Sequence, residues 1–240
     1  MNAALLFRSA GMTHPGTVRD HNEDAWIERS QLGLWAVADG LGGHSSGDRA
    51  SQLLIERLAR IESDNPSSLL ASVRARMDDA NRDLVQLAAT SGDVIASTIV
   101  ILLAGAGHFA CLWAGDSRAY LLRDGLLRRV TKDHSLVQEM VDKGLLGVEQ
   151  METHAQRHVL TRAVGGEESL ALDKVSAPAQ AGDRFLLCSD GLIRAVSDDE
   201  IAAALAALPL AEIPSRLIEQ ALDRACSDNV TVIAIEATMA

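Results

Sequence analysis

The stretch WAVADGLGGHSSGD, Trp35–Asp48, runs from apolar residues straight into an acid and then a string of glycines. It reads as a short buried strand with a carboxylate at its lip. Two further stretches repeat the pattern: FACLWAGDSR (109–118), with Asp116 near its end, and RFLLCSDGL (184–192), with Asp190 near its end.

Working outward, DAWIERS (24–30) and GLWAVAD (33–39) read as two strands joined by a turn near Gln31–Gly33. From Asp48, residues Ala50, Leu53, Leu54, Leu58 and Ile61 recur at helical spacing. Pro66 opens a second helix that keeps this period to about Thr90. From Ala96, STIVILLAG, HFACLWAG and RAYLLRDGLLRRV predict a strand meander, with turns at Gly105–Gly107 and Asp124–Gly125. Residues 131–165 are more polar and read as a helical excursion off the sheet. LALDKVSA (170–177) and DRFLLCSD (183–190) return to strand; two Ala/Leu-rich helices span Asp198–Ala225, and NVTVIAIEA (229–237) is a last strand. Strands in two clusters with helices in pairs predict an α+β fold of two stacked antiparallel β-sheets flanked by pairs of α-helices. A parallel α/β sheet fits less well, because strands and helices do not alternate one for one.

Composition sets the frame. The 240 residues, 48% hydrophobic and 23% charged, suit a globular domain with a sizeable core. A net charge of −11 argues against a nucleic-acid surface, which needs clustered Lys and Arg. Cys111, Cys188 and Cys226 are too few for a disulfide framework and read as buried thiols of a reducing compartment. The N-terminus lacks the basic region of a secretory signal, and no stretch reaches the ~18 apolar residues of a membrane span. The expected location is cytoplasmic.

Several familiar chemistries fail on single residues. The glycine-rich loop meets Asp48 where a Walker A loop needs lysine, and Ser45 where a dinucleotide fingerprint needs its third glycine. GDSRA (115–119) lacks the last glycine of a nucleophile elbow. The histidines show no zinc spacing. CSDGLIR (188–194) matches the C-x5-R loop of thiolate phosphatases, with Cys188 as nucleophile and Arg194 as oxygen clamp. Asp190 stands inside that loop, where it would repel the dianion the loop must cradle.

A metal site accommodates every piece. Asp39, Asp116 and Asp190 each close an apolar strand, Asp228 precedes the last one, and NEDAW adds Glu23 and Asp24. Six carboxylates in one place raise one another's pKa values unless hard cations lie between them. All-oxygen ligation selects Mg²⁺ or Mn²⁺. Glycines after Asp39 and Asp190 let the backbone approach closely, so the Gly40 carbonyl can join the ligands.

These residues resemble the PP2C-type metal-dependent serine/threonine protein phosphatases in their compact bacterial form. The resemblance rests, in order, on VRDHNEDAW (18–26), VADGLGGHSSGDRAS (37–51), AST (96–98), WAGDSRAYLLRDG (113–125), TKDHSLV (131–137), LTRAVG (160–165), LLCSDGL (186–192) and SDNVTVI (227–233). It implies a single phosphatase domain over 1–240, with 131–165 as a flap subdomain. It implies two core Mn²⁺ or Mg²⁺ ions, with Asp39 bridging both, the Gly40 carbonyl on one, and Asp190 and Asp228 on the other. Glu23 would act through coordinated water, and Asp24 would orient metal-bound water. Asp116 matches an acid that binds a third, weaker ion in bacterial relatives, with Ser135 of the flap nearby. Arg19 matches the arginine that holds the substrate phosphate, for which its forked guanidinium is suited. The implied reaction is hydrolysis of phosphoserine and phosphothreonine on proteins by a hydroxide bridging the ions. It would oppose a bacterial Ser/Thr kinase, its partners being phosphorylated proteins that include the cognate kinase itself. Animal relatives carry a histidine after the Asp-Gly pair as proton donor; here that position is Leu41 and the nearest histidine is His44. The chain stops after its last strand, so it is expected to be soluble, and a monomer is the default expectation. The alternatives are the Cys188/Arg194 thiolate phosphatase and a catalytically inactive binding module of the same fold.

Overall fold

The computed structural model describes residues 5–42, 46–62, 66–151 and 153–240. One sheet has the order β1-β11-β10-β7-β8, from strands β1 (Leu5–His14), β7 (Arg118–Arg123), β8 (Leu126–Arg129), β10 (Arg184–Cys188) and β11 (Val230–Met239). The other has the order β2-β3-β5-β6-β9, from β2 (Asp24–Arg29), β3 (Leu34–Leu41), β5 (Ile99–Gly105), β6 (His108–Ala114) and β9 (Asp173–Pro178); the two-residue β4 (Ala96–Ser97) pairs with β3. All the named strand pairs are antiparallel.

Helices α1 (Ser46–Ala59) and α2 (Pro66–Ser91) cover the second sheet, where Leu54, Leu58, Met77 and Leu84 pack on Leu34, Ala36 and Ile101. Helices α5 (Asp198–Ala207) and α6 (Ile213–Asp223) cover the first, where Ile201, Leu205, Leu217 and Ile218 pack on Leu186, Val232 and Ala234. A third apolar layer lies between the sheets, built from Trp35, Val37, Val100, Phe109, Phe185, Leu187, Ile233 and Ile235. The α+β sandwich of stacked antiparallel sheets read from the sequence is therefore the architecture. Helix α5 starts on a capping box in which Ser197 and Glu200 satisfy each other's backbone N–H groups.

Three details differ from the sequence expectation. The meander splits between sheets: β5–β6 belong to one and β7–β8 to the other, and the chain crosses at Gly115–Ser117. Both hairpins are two-residue turns with positive φ, at Ala106–Gly107 and Asp124–Gly125, as the turn residues predict. Among the described residues of 131–165 there is one α-helix, α3 (Leu136–Asp142), and a short 3-10 turn at Val148–Gln150, so the helical excursion is mostly irregular there. The N-terminal residues from Leu5 form a ten-residue strand paired along its whole length with β11, which no periodic signal announced. Its half-buried edge position blurs the alternation that a sequence reading relies on.

Candidate active site

Strand parity aims the acids. Along β3, Leu34, Ala36 and Ala38 face the helix layer, while Trp35 and Val37 face the inter-sheet layer. Asp39, two residues on, continues the inter-sheet row. Asp24 lies directly opposite it in the β2–β3 register. Along β10, Phe185 and Leu187 point between the sheets, and Asp190 opens the single-turn helix α4 (Asp190–Ile193) just beyond the strand. Asp228 stands just before β11, and Asp116 lies in the crossing between β6 and β7. Antiparallel pairing brings these strand ends to one end of the sandwich.

Polar braces hold the backbone there. The Asp39 N–H donates to Thr98 Oγ1 at 3.1 Å, and Ser97 Oγ donates to the Asp39 carbonyl at 2.9 Å. Thr98 Oγ1 also meets Ser117 Oγ at 2.7 Å, tying β3 to the crossing that carries Asp116. The Glu23 N–H donates to Asn229 Oδ1 at 2.8 Å, and Asn229 Nδ2 donates to the Pro15 and His21 carbonyls. The glycines after two of the acids are steric necessities. A Cβ on Gly40 would lie 2.0 Å from the Gly47 carbonyl oxygen, and one on Gly191 2.0 Å from that of Asn229.

A cavity of about 470 Å³ gathers Arg19, Glu23, Asp39, Gly40, Asp116, Asp190 and Asp228 on its wall. Asp24 sits behind it: Oδ2 accepts from Ser189 Oγ and Thr231 Oγ1, both at 2.7 Å, while Oδ1 is buried without a partner. Burial, reinforced by the neighbouring acids, pushes the carboxyl of Asp24 up to about 7, Asp116 to about 8 and Asp190 to about 6; Asp39 rises well above the usual carboxylate range for the same reasons. Burial also raises Glu23, against the pull of Arg19. Arg19 Nε donates to Asp228 Oδ1 at 3.1 Å, and Arg194 Nη1 donates to Asp228 Oδ2 at 3.1 Å. Arg194 Nη2 pairs with Asp190 Oδ2 as well. Among the described residues, no group of three or more His, Cys, Asp and Glu side chains is already drawn together as a ligand set. The donor set nonetheless fits hard divalent cations: all oxygen, crowded, electrostatically strained, with an orphaned carboxylate oxygen at its back.

Every residue singled out in the sequence for the core site therefore lies at this end of the sandwich. Ser135 is close by rather than in the same cavity: it lines a pocket of about 30 Å³ with Asp116, Asp133 and Asp190, and its Oγ caps α3 by accepting from the Gln138 N–H. His44 falls outside the described residues. The sequence reading passed over Ser189, Thr231 and Asn229, although each lies inside a motif it quoted. It also passed over the buried pair in which Arg118 donates through Nε and Nη2 to Asp133, at 2.6–3.1 Å, anchoring the start of the 131–165 segment on β7. Arg157, His158 and Leu160 of that segment line the same cavity, as does Arg194.

Cys188 is elsewhere. Strand parity turns it to the helix side, among Leu192, Val196 and Ile218, with no exposed surface. Burial pushes its thiol up to about 12. A thiolate phosphatase needs the opposite, so the Cys188/Arg194 alternative is incompatible with the fold.

The class that fold and site define is an α-β-β-α sandwich with an all-oxygen acid cluster at one end of its inter-sheet layer. The chain belongs to the protein phosphatase 2C family, whose model matches residues 13–224. It is 40% identical over 232 residues to the serine/threonine protein phosphatase PstP of Mycobacterium tuberculosis, an alignment covering 95% of this chain and 45% of PstP. The chain thus spans about half the length of that curated relative. Among solved structures it is similar to PppA, a key regulatory component of T6SS in Pseudomonas aeruginosa, with a TM-score of 0.91 and 38% identity over 98% of this chain and 100% of that one. It also matches the catalytic domain of PstP in complex with two manganese ions, with a TM-score of 0.85 and 36% identity over 98% of this chain and 99% of that one.

Proposed function

We propose that this chain is a divalent-metal-dependent phosphatase acting on phosphoserine and phosphothreonine in proteins. The observation that carries it is the convergence of Glu23, Asp39, Asp116, Asp190 and Asp228 on one solvent-connected cavity, with Arg19 on its wall and Asp24 behind it. Asp39 with the Gly40 carbonyl would hold one ion, and Asp39, Asp190 and Asp228 the other; Glu23 would contribute through water. When bound, Mn²⁺ or Mg²⁺ supplies Lewis acidity, lowering the pKa of water toward neutrality and offsetting charge on phosphoryl oxygens.

The remaining roles belong to the chain itself. Arg19 is held by Asp228 but keeps 55% of its side chain exposed, so it is free to turn its fork to a phosphoryl oxygen pair. Asp24 has one oxygen held by two hydroxyl donors, which leaves its other, unpartnered oxygen to orient water at the back of the site. Residues 131–165 would form a flap on one side of the cavity, a reading supported by Arg157 and His158 on its wall. Leu41 cannot give the leaving serine or threonine oxygen its proton, so that step falls to another group or to solvent.

The same reading extends to a single domain over 1–240, to the targets of a cognate Ser/Thr kinase as substrates, and to a cytoplasmic monomer. The similarity to PstP supports the substrate class. No helix among the described residues is long and apolar enough to cross a membrane. Hydrolysis of a phosphothreonine peptide in Mn²⁺ and in EDTA, by wild type and by Asp190→Asn and Cys188→Ser, tests the proposal. Turnover that requires Mn²⁺, survives Cys188→Ser and collapses in Asp190→Asn is expected. Turnover persisting in EDTA would overturn it, and none by any form would favour the inactive binding module.

A further inference from the structure

Arg194 attracted notice in the sequence only as the end of a C-x5-R pattern that the fold makes unusable. Its position is nonetheless specific. It follows Asp190 by one turn of α4, and its backbone N–H donates to the Asp190 carbonyl at 3.1 Å. That spacing lays the side chain back over Asp190. The guanidinium pairs with Asp190 Oδ2 through Nη2 and with Asp228 Oδ2 through Nη1, and only 26% of the side chain is exposed. It also lines the small pocket shared by Asp116, Asp190 and Ser135. Arg19 lies on the other side of Asp228, bound to Oδ1.

Charge accounting shows what the arginine does there. Glu23, Asp24, Asp39, Asp116, Asp190 and Asp228 carry six negative charges when ionised. Two divalent ions, the number in the manganese complex of the PstP catalytic domain, offset four of them. Arg19 and Arg194 offset the other two, and Arg157 lines the same cavity beyond them. A further divalent ion beside Asp116 and Asp190 would meet a tethered guanidinium already paired with one of its ligands, and would add charge to acids that are already offset.

We propose that Arg194 is a resident cation of the acid cluster, occupying the place beside Asp190 and Asp116 that an additional metal ion would otherwise take, so that the site loads two divalent ions and no more. The inference rests on the metal-dependent reading above.

Counting Mn²⁺ per chain tests it, by equilibrium dialysis up to millimolar Mn²⁺, on wild type, Arg194→Ala, Arg194→Gln and Arg194→Lys, each checked for folding by circular dichroism. Wild type and Arg194→Lys, which keeps the charge, should saturate at two ions. Arg194→Ala and Arg194→Gln should take up one ion more, at the weak end of the titration. If Arg194→Ala fails to fold, Arg194→Gln, which preserves most of the volume, carries the comparison. An additional ion on wild type would overturn the proposal while leaving metal dependence intact, as would neutral variants that stop at two. Absence of Mn²⁺ binding by wild type would overturn this inference and the metal-dependent reading together.

Discussion

The two ends of the inter-sheet layer are made by the same strands under opposite rules. Away from the site the layer is apolar: Phe109 and Phe185 meet edge to face with centroids 4.9 Å apart. The charged groups at that end stand in matched pairs, Arg184 with Glu236 and Arg123 with Asp183. At the other end the strands close on acids that outnumber the cations beside them. One end is built for stability; the other carries electrostatic strain, as the proposed binding of cations and phosphate requires.

The sharpest way to break this contrast is to exchange a carboxylate for its amide. Asp39→Asn should lower turnover on the order of 10²–10³-fold, the range for losing one preorganised electrostatic group. Its melting temperature in EDTA should hold or rise, because a buried like charge is gone; a clear fall would show that Asp39 stabilises the fold. The reverse substitution is Phe185→Ala, expected to cost about 3–5 kcal/mol in denaturant titrations. Its turnover per folded molecule in Mn²⁺ should be kept at low temperature.

Proton linkage separates the ends next. Asp24, Asp116 and Asp190 titrate higher in the folded chain than the 3.8 of an unperturbed aspartate. Between those values the folded state holds protons that the unfolded chain has released. Metal-free protein should therefore lose stability as pH rises from about 4 to about 8, and the slope should be shallower in Asp116→Asn. Saturating Mn²⁺ should flatten or reverse it, because ions bind the deprotonated acids. Melting curves across this range in EDTA and in Mn²⁺ would show it, and a metal-free stability that climbs over that window would contradict the assignment. The smallest effect belongs to Cys188→Ala, which should cost about 1 kcal/mol, near the mean for single substitutions, and leave turnover unchanged.

Much of the site was legible because its signals are local. A strand that ends on aspartate and continues as glycine announces a close backbone approach, and Gly40 and Gly191 meet neighbouring carbonyls as that reading requires. The hydroxyls of Ser189 and Thr231 were harder to see. Ser189 follows β10 and Thr231 lies in β11, and they matter only because both reach the same oxygen of Asp24 on another sheet. The 131–165 segment was misread as helical because its polarity reflects anchoring by Arg118–Asp133 and by its contacts around the cavity, not a helical period.

The sequence by itself determined which residues could be buried, where each strand stops and that its end carries an acid, since period-two alternation and glycine's missing Cβ are properties of the chain. Only the tertiary structure decided that β5–β6 and β7–β8 part into different sheets at Gly115–Ser117, that Cys188 faces the helices, and that Arg194 stands among the acids. Those outcomes depend on pairing between strands far apart in sequence: a one-residue change of register turns every side chain to the opposite face, and no local pattern encodes the partner.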